Sequence, residues 1–175
     1  SKIIPTKTGS LVIELKGDGA AIMNSGTLNA GKINVDAVGT EFINKGKVIS
    51  GSESSVPASG NIYIQATGLV QGGMIIADKL VSVEADDISV VLNYTPLAME
   101  IDPLLNTTPG VIIQAPEVRV TAKQFGSIDV PLNIDAALIY INRTQGDINI
   151  LDSLGIGTSI LLRGPPEGFG AIVYH

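Results

Sequence analysis

The sequence predicts an all-β fold, a single-stranded parallel β-helix of right-handed sense with coils of about 20 residues. Three observations carry that expectation. A short phrase recurs: Asn24, Gly26, Leu28 and Ala30 are matched by Asn44, Gly46, Val48 and Ser50, twenty residues on, and again by Gln71, Gly73, Ile75 and Ala77. A second phrase follows each copy as strict alternation: Ile33-Val35-Ala37, then Ile62-Ile64-Ala66, Val81-Val83-Ala85 and Val118-Val120-Ala122. Period-two alternation marks a strand with one buried face. The composition agrees: 45% of residues are apolar, yet only 4% are aromatic and 20 are glycines, so the core must come from Ile, Val, Leu and Ala between frequent turns.

The elements follow in order. One domain spans residues 1–175, with regular coils over about 9–88 and 111–174. "GDGAA" (17–21) is a turn signal between the first strands. The coil that begins at Ile33 is longer than its neighbours. Removing the Ser-, Gly- and Pro-rich segment 51–59 restores its register, so that segment is expected to be a loop pushed out of one coil. Residues 89–110 carry three prolines, which interrupt strand pairing, and read as an irregular excursion. Alternation returns in 111–122, 127–134 and 147–151, and a last apolar strand is expected at 171–174. The stretch 136–141 is too short and too β-branched for a helix.

Stacked coils give the repeated residues physical roles. Asn24, Asn44 and Gln71 are expected to stack at a corner, where each side-chain amide donates to the next. Gly26, Gly46 and Gly73 are expected where the backbone either turns with positive φ or is crowded by the adjacent coil.

The unit Asn-X-Gly-X-aliphatic-X-Ala, followed by aliphatic-X-aliphatic-X-Ala, resembles the repeat of filamentous haemagglutinin-like adhesins. The likeness covers about residues 20–86 well and 111–151 loosely. An Asn-Pro-Asn motif of the kind found in that family's secretion domain does not occur. The resemblance therefore implies the β-solenoid shaft of a large secreted bacterial protein, at the cell surface or outside the cell.

Chemistry is sparse. The chain has no cysteine and one histidine, His175, so a Ser-His-Asp or Cys-His site and a zinc centre are not expected. Glu84, Asp86 and Asp87 cluster with Asp78 upstream. Such carboxylates have the chemistry to hold Ca²⁺; the competing reading is a charged outer face that keeps a shaft soluble. No cofactor is otherwise expected. Asp86, Asp87, Lys79 and Arg119 also suggest a polysaccharide lyase or hydrolase built on a β-helix, an alternative that lacks aromatic sugar platforms in number. "LGIGTS" (154–159) lacks the Lys of a phosphate loop and reads as a turn. Sequons at Asn93, Asn106 and Asn142 carry weight only in a eukaryotic chain.

The formal net charge of −6 argues against nucleic acid and anionic membrane surfaces as partners. The charge is uneven, with residues 1–50 mildly basic and 76–135 acidic. No apolar run reaches the length of a membrane span, and "SKIIPTKTGS" lacks the apolar core of a signal peptide. Neither end reads as a cap, so the expected partners are adjoining segments of a longer chain or neighbouring copies stacked end to end. The function expected is structural and not enzymatic. The alternative is a surface- or glycan-binding adhesin module that uses the 51–59 loop or the 89–110 excursion.

Overall fold

The computed structural model describes residues 10–15, 21–51, 60–91, 112–127, 130–143, 146–151, 158–163 and 172–174. Most of the 51–59 and 89–110 segments, most of the "GDGAA" and "LGIGTS" turns, and Asn93, Asn106 and His175 lie outside them.

Among the described residues there are seventeen strands and no helix. The first six are β1 (Ser10–Glu14), β2 (Ala21–Asn24), β3 (Thr27–Asn29), β4 (Lys32–Asn44), β5 (Lys47–Ser50) and β6 (Asn61–Gln71). Then come β7 (Met74–Ala77), β8 (Leu80–Glu84), β9 (Asp87–Val90), β10 (Ile112–Gln114), β11 (Glu117–Ala122) and β12 (Gln124–Phe125). The last are β13 (Leu132–Asp135), β14 (Leu138–Arg143), β15 (Ile148–Leu151), β16 (Ser159–Arg163) and β17 (Ile172–Tyr174). They form one parallel sheet that does not close into a barrel.

The register shows how the sequence repeat becomes structure. Leu11 pairs with Ile33, then Ile62, Val81, Val118, Ile139 and Ile160 in succession. This is the first ladder. A second runs Ile22, Phe42, Leu69, Ile88, Phe125, Ile148 and Ile172. A third runs Leu28, Val48, Ile75, Ile113 and Ile134. One passage of the chain through these ladders is called a circuit below. The two long returns to the first ladder, Ile33 to Ile62 and Val81 to Val118, are those containing segments 51–59 and 89–110. The aliphatic positions of the sequence repeat are also pairing positions: Val48 meets Leu28 and Ile75, and Ser50 likewise meets Ala77.

The alternation faces one shared core. Ile33, Val35, Ala37, Ile62, Ile64, Val81, Val83, Val118, Val120 and Ile139 are all buried in a single cluster. Among the described residues the two buried aromatic rings, Phe42 and Phe125, occupy one ladder position, separated by Leu69 and Ile88. Columns of like side chains bury apolar area that no circuit could bury alone. Ile62 has no solvent exposure and sits between Ile33 and Val81. We expect Ile62→Val to cost about 1 kcal/mol in denaturant unfolding, the ordinary loss for one buried methyl group.

Two local features depart from the sequence expectation. Between Ala37 and Glu41 the register shifts, because β4 uses Val38, Gly39 and Thr40 where β6 uses Thr67 alone. Gly39 takes up the bend at φ 88°, and its N–H donates to Thr67 Oγ1 at 2.9 Å. The expected strand 127–134 is also shorter. Ser127 N–H donates to Val130 O at 2.9 Å, closing a turn, and pairing resumes only at Leu132.

Candidate functional site

The amide and glycine positions form a column at the junction of the second and third ladders. Asn24 Nδ2 donates to Asn44 Oδ1 at 2.9 Å, and Asn44 Nδ2 donates to Gln71 Oε1 at 3.2 Å. Each amide also serves the backbone of the following circuit: Asn24 Nδ2 donates to Lys47 O and Asn44 Nδ2 to Met74 O. Gln71 Nε2 turns to Gly73 O at 2.7 Å, where the amide series ends because its next ladder partner is Val90. Asn44 and Gln71 have no solvent exposure, and Asn24 is 7% exposed. Two residues further on, the glycines stack. Lys47 N–H donates to Gly26 O and Met74 N–H to Gly46 O. A Cβ on Gly46 would lie 2.0 Å from Gly26 O, and one on Gly73 would lie 2.0 Å from Gly46 O. None of the three has positive φ, so close backbone approach is what requires glycine at positions 46 and 73. Gly26 has open space at its Cβ position. The column is a structural device, and it offers no exposed polar group for chemistry.

The acidic cluster is split by a corner. Glu84 ends β8, Ala85 turns inward, and Asp86 lies beyond the strand, where its N–H donates to Thr67 O at 2.9 Å. Glu84 and Asp86 line an open cavity of about 330 Å³ together with Gln65, Thr67, Thr121 and Lys123. Asp87 does not line it, because it begins β9 on the second ladder, between Gly68 and Gln124. Among the described residues, no group of three or more His, Cys, Asp and Glu side chains could hold a metal ion. The Ca²⁺ set Glu84, Asp86 and Asp87 is therefore not assembled, because the corner at Ala85 sends Asp87 to another ladder.

Asp86 Oδ2 instead meets Lys123 Nζ at 3.0 Å, a partner the sequence reading missed because it comes from the following circuit. Both side chains are about half exposed, so solvent screens the pair. Lys123→Ala is expected to cost at most about 1 kcal/mol, a difference that shrinks in high salt, as thermal melts at two ionic strengths would show.

The lyase-like set is also dispersed. Lys79 precedes β8 and Asp86 follows it, and five residues of strand hold them about 17 Å apart. Arg119 projects from the first ladder, where its Nε donates to Glu117 Oε1 at 2.5 Å. Asp78 packs beside Gly51 and Gly60 at a different corner. Near it, a second open cavity of about 460 Å³ runs past Ala77, Ala115 and Ala136, and beside it Gln114 Nε2 donates to Asp135 Oδ2 at 2.8 Å. Asn142 is exposed on β14.

The outward face of the first ladder carries a column of side chains that only the cross-circuit register brings together. The residue that follows the inward aliphatic of the ladder is, circuit by circuit, Val12, Asn34, Tyr63, Ser82, Arg119, Tyr140 and Leu161. Lys32 Nζ lies 5.1 Å from the Tyr63 ring centroid, and Arg119 Cζ lies 5.4 Å from that of Tyr140.

No helix among the described residues is long and apolar enough to cross a membrane. Comparison of the chain with protein-family models, curated proteins and solved structures finds no match.

Proposed function

We propose that the chain is a right-handed β-solenoid that serves as a structural shaft, extracellular or on a bacterial cell surface. Its partners are adjoining segments of a longer chain or further copies of itself. The observation that supports this reading is the unbroken register of the first ladder, Leu11 to Ile160, in which each circuit is a template for the next. Such an arrangement extends by addition of circuits, and its core grows with it. The likeness of its repeat to filamentous haemagglutinin-like shafts supports the extracellular placement. The net charge of −6 speaks against nucleic acid.

The reading makes the chain a scaffold and not an enzyme. Dispersal of Lys79, Arg119, Asp86 and Asp87 favours this over the lyase or hydrolase alternative. Incubation with a panel of acidic polysaccharides tests it. Release of unsaturated or reducing sugar that disappears in Asp87→Ala would replace the scaffold reading with an enzymatic one. Negative-stain microscopy at neutral pH tests self-stacking. Filaments of constant width support it, whereas dispersed particles of constant monomer mass rule it out and leave adjoining segments of one chain as the partners.

A further inference from the structure

We infer that the outward face of the first ladder binds an uncharged linear polysaccharide lying along the stack of circuits, with the rings of Tyr63 and Tyr140 as its stacking platforms. Four aromatic side chains are described in the structure. Phe42 and Phe125 are buried, and the two that reach solvent, Tyr63 and Tyr140, fall in the same outward column. Three strand spacings separate them, about 14 Å. A cation lies over one face of each ring and holds it in place, Lys32 on Tyr63 and Arg119 on Tyr140, and Glu117 in turn holds Arg119; stacking of a sugar uses the other face. Rings already ordered lose little freedom when a ligand arrives.

The face selects its ligand by three criteria. The first is apolar. A pyranose ring presents C–H groups, and their positive edges suit the negative face of a tyrosine ring. Val12 and Leu161, both about half exposed, extend the apolar column at its two ends. The second is polar. Asn34 and Ser82 lie in the column itself, while Asn61, Gln65, Thr121 and Asn142 flank it, so amides and hydroxyls meet sugar hydroxyls along its length. The third is charge. Glu14, Asp36, Glu84 and Arg163 hold positions in one flanking column, and with Glu117 the four acids slightly outnumber Lys32, Arg119 and Arg163 on this face. The face therefore has no net positive charge to draw uronate, sulfate or phosphate polymers, and a neutral glycan needs none.

What the backbone leaves open separates a glycan from a peptide. From Asn34 to Tyr140 each strand of the ladder is paired with a circuit on both sides, so a peptide finds no open edge to join along this stretch.

Affinity electrophoresis of the full chain through gels containing soluble neutral polysaccharides (glucomannan, xyloglucan, mixed-linkage glucan) tests the inference, with alginate and heparin as the charged arm. At least one neutral polymer should retard the chain, and added salt should leave the retardation unchanged. Tyr63→Ala and Tyr140→Ala should each weaken it about tenfold, while Tyr63→Phe and Tyr140→Phe, which keep the ring, should not. Both residues face solvent, and thermal melts of each variant check folding independently. The inference is overturned if no neutral polymer retards the chain, if alginate or heparin binds in preference and salt abolishes it, or if Phe and Ala variants behave alike. It rests on register and side chains alone, so absence of filaments in the microscope leaves it standing, and absence of glycan binding leaves the shaft reading standing.

Discussion

Gly46→Ala is expected to destabilise the protein by about 3 kcal/mol or more, at the upper end of what overpacking costs, whereas Gly26→Ala is expected to be nearly neutral. The two glycines occupy equivalent places in the repeat, and both have negative φ. They differ in what lies beneath them. A methyl group on Gly46 would come within 2.0 Å of Gly26 O and 2.9 Å of Gly26 C and N. Those are backbone atoms, and Gly26 O is already the acceptor for Lys47 N–H at 2.8 Å. Relief requires two circuits to move apart, which stretches the second and third ladders together. The methyl group on Gly26 meets nothing within 4 Å. Its remaining effect is on the unfolded chain, where alanine has less freedom than glycine, so a gain of up to about 1 kcal/mol is the expected direction. Urea titrations of both variants read the difference directly. Equal losses at the two positions would show that conformation, and not stacking, is what demands glycine.

Asn44→Leu is the second large effect, with an expected loss of about 2–4 kcal/mol. Asn44 is fully buried and serves three partners: it accepts from Asn24 Nδ2 and donates to Gln71 Oε1 and Met74 O. Leucine removes the donor, leaving the Gln71 carbonyl oxygen and the Met74 carbonyl facing hydrocarbon, and each stranded acceptor costs its desolvation. Asn44→Asp separates charge from shape. The carboxylate keeps its acceptor role toward Asn24 but faces two acceptors without a proton to give. Burial and those oxygens favour the protonated acid, so its folded pKa is raised above the unfolded value near about 4. The native state then binds more protons than the unfolded state. Its deficit is smallest in acid and grows as pH rises from the unfolded pKa to the folded one. Thermal melts at acidic and neutral pH should show the Asn44→Asp variant recovering toward the parent only in acid, while the leucine variant shows no such recovery.

Much of this architecture was legible because period-two alternation is written in residue type. The sequence repeat aligned Asn24 with Asn44 and Gln71, and the hydrogen bonds join those same residues. The alternation Ile33-Val35-Ala37 and its copies named core residues that are all buried. The glycine positions were legible too, but their cause was not. Sequence left open positive φ or crowding, and the distance from Gly46 to Gly26 O decided for crowding. The acidic cluster was legible only in part: Glu84 and Asp86 line one cavity, but the corner at Ala85 puts Asp87 on the second ladder, and Lys123, from the next circuit, takes Asp86.

By itself, then, the sequence determined the all-β character, the repeat and the inward set of each strand, because each follows from residues a few positions apart. Only the tertiary structure decided what stands beside what across circuits: Lys123 against Asp86, Phe42 in line with Phe125, Tyr63 in line with Tyr140. Returns to the first ladder vary in length, from Val81 to Val118 at one extreme to Ile62 to Val81 at the other. Lateral neighbours are therefore set by parallel backbone pairing and a shared core, which fix register without regard to how much chain lies between.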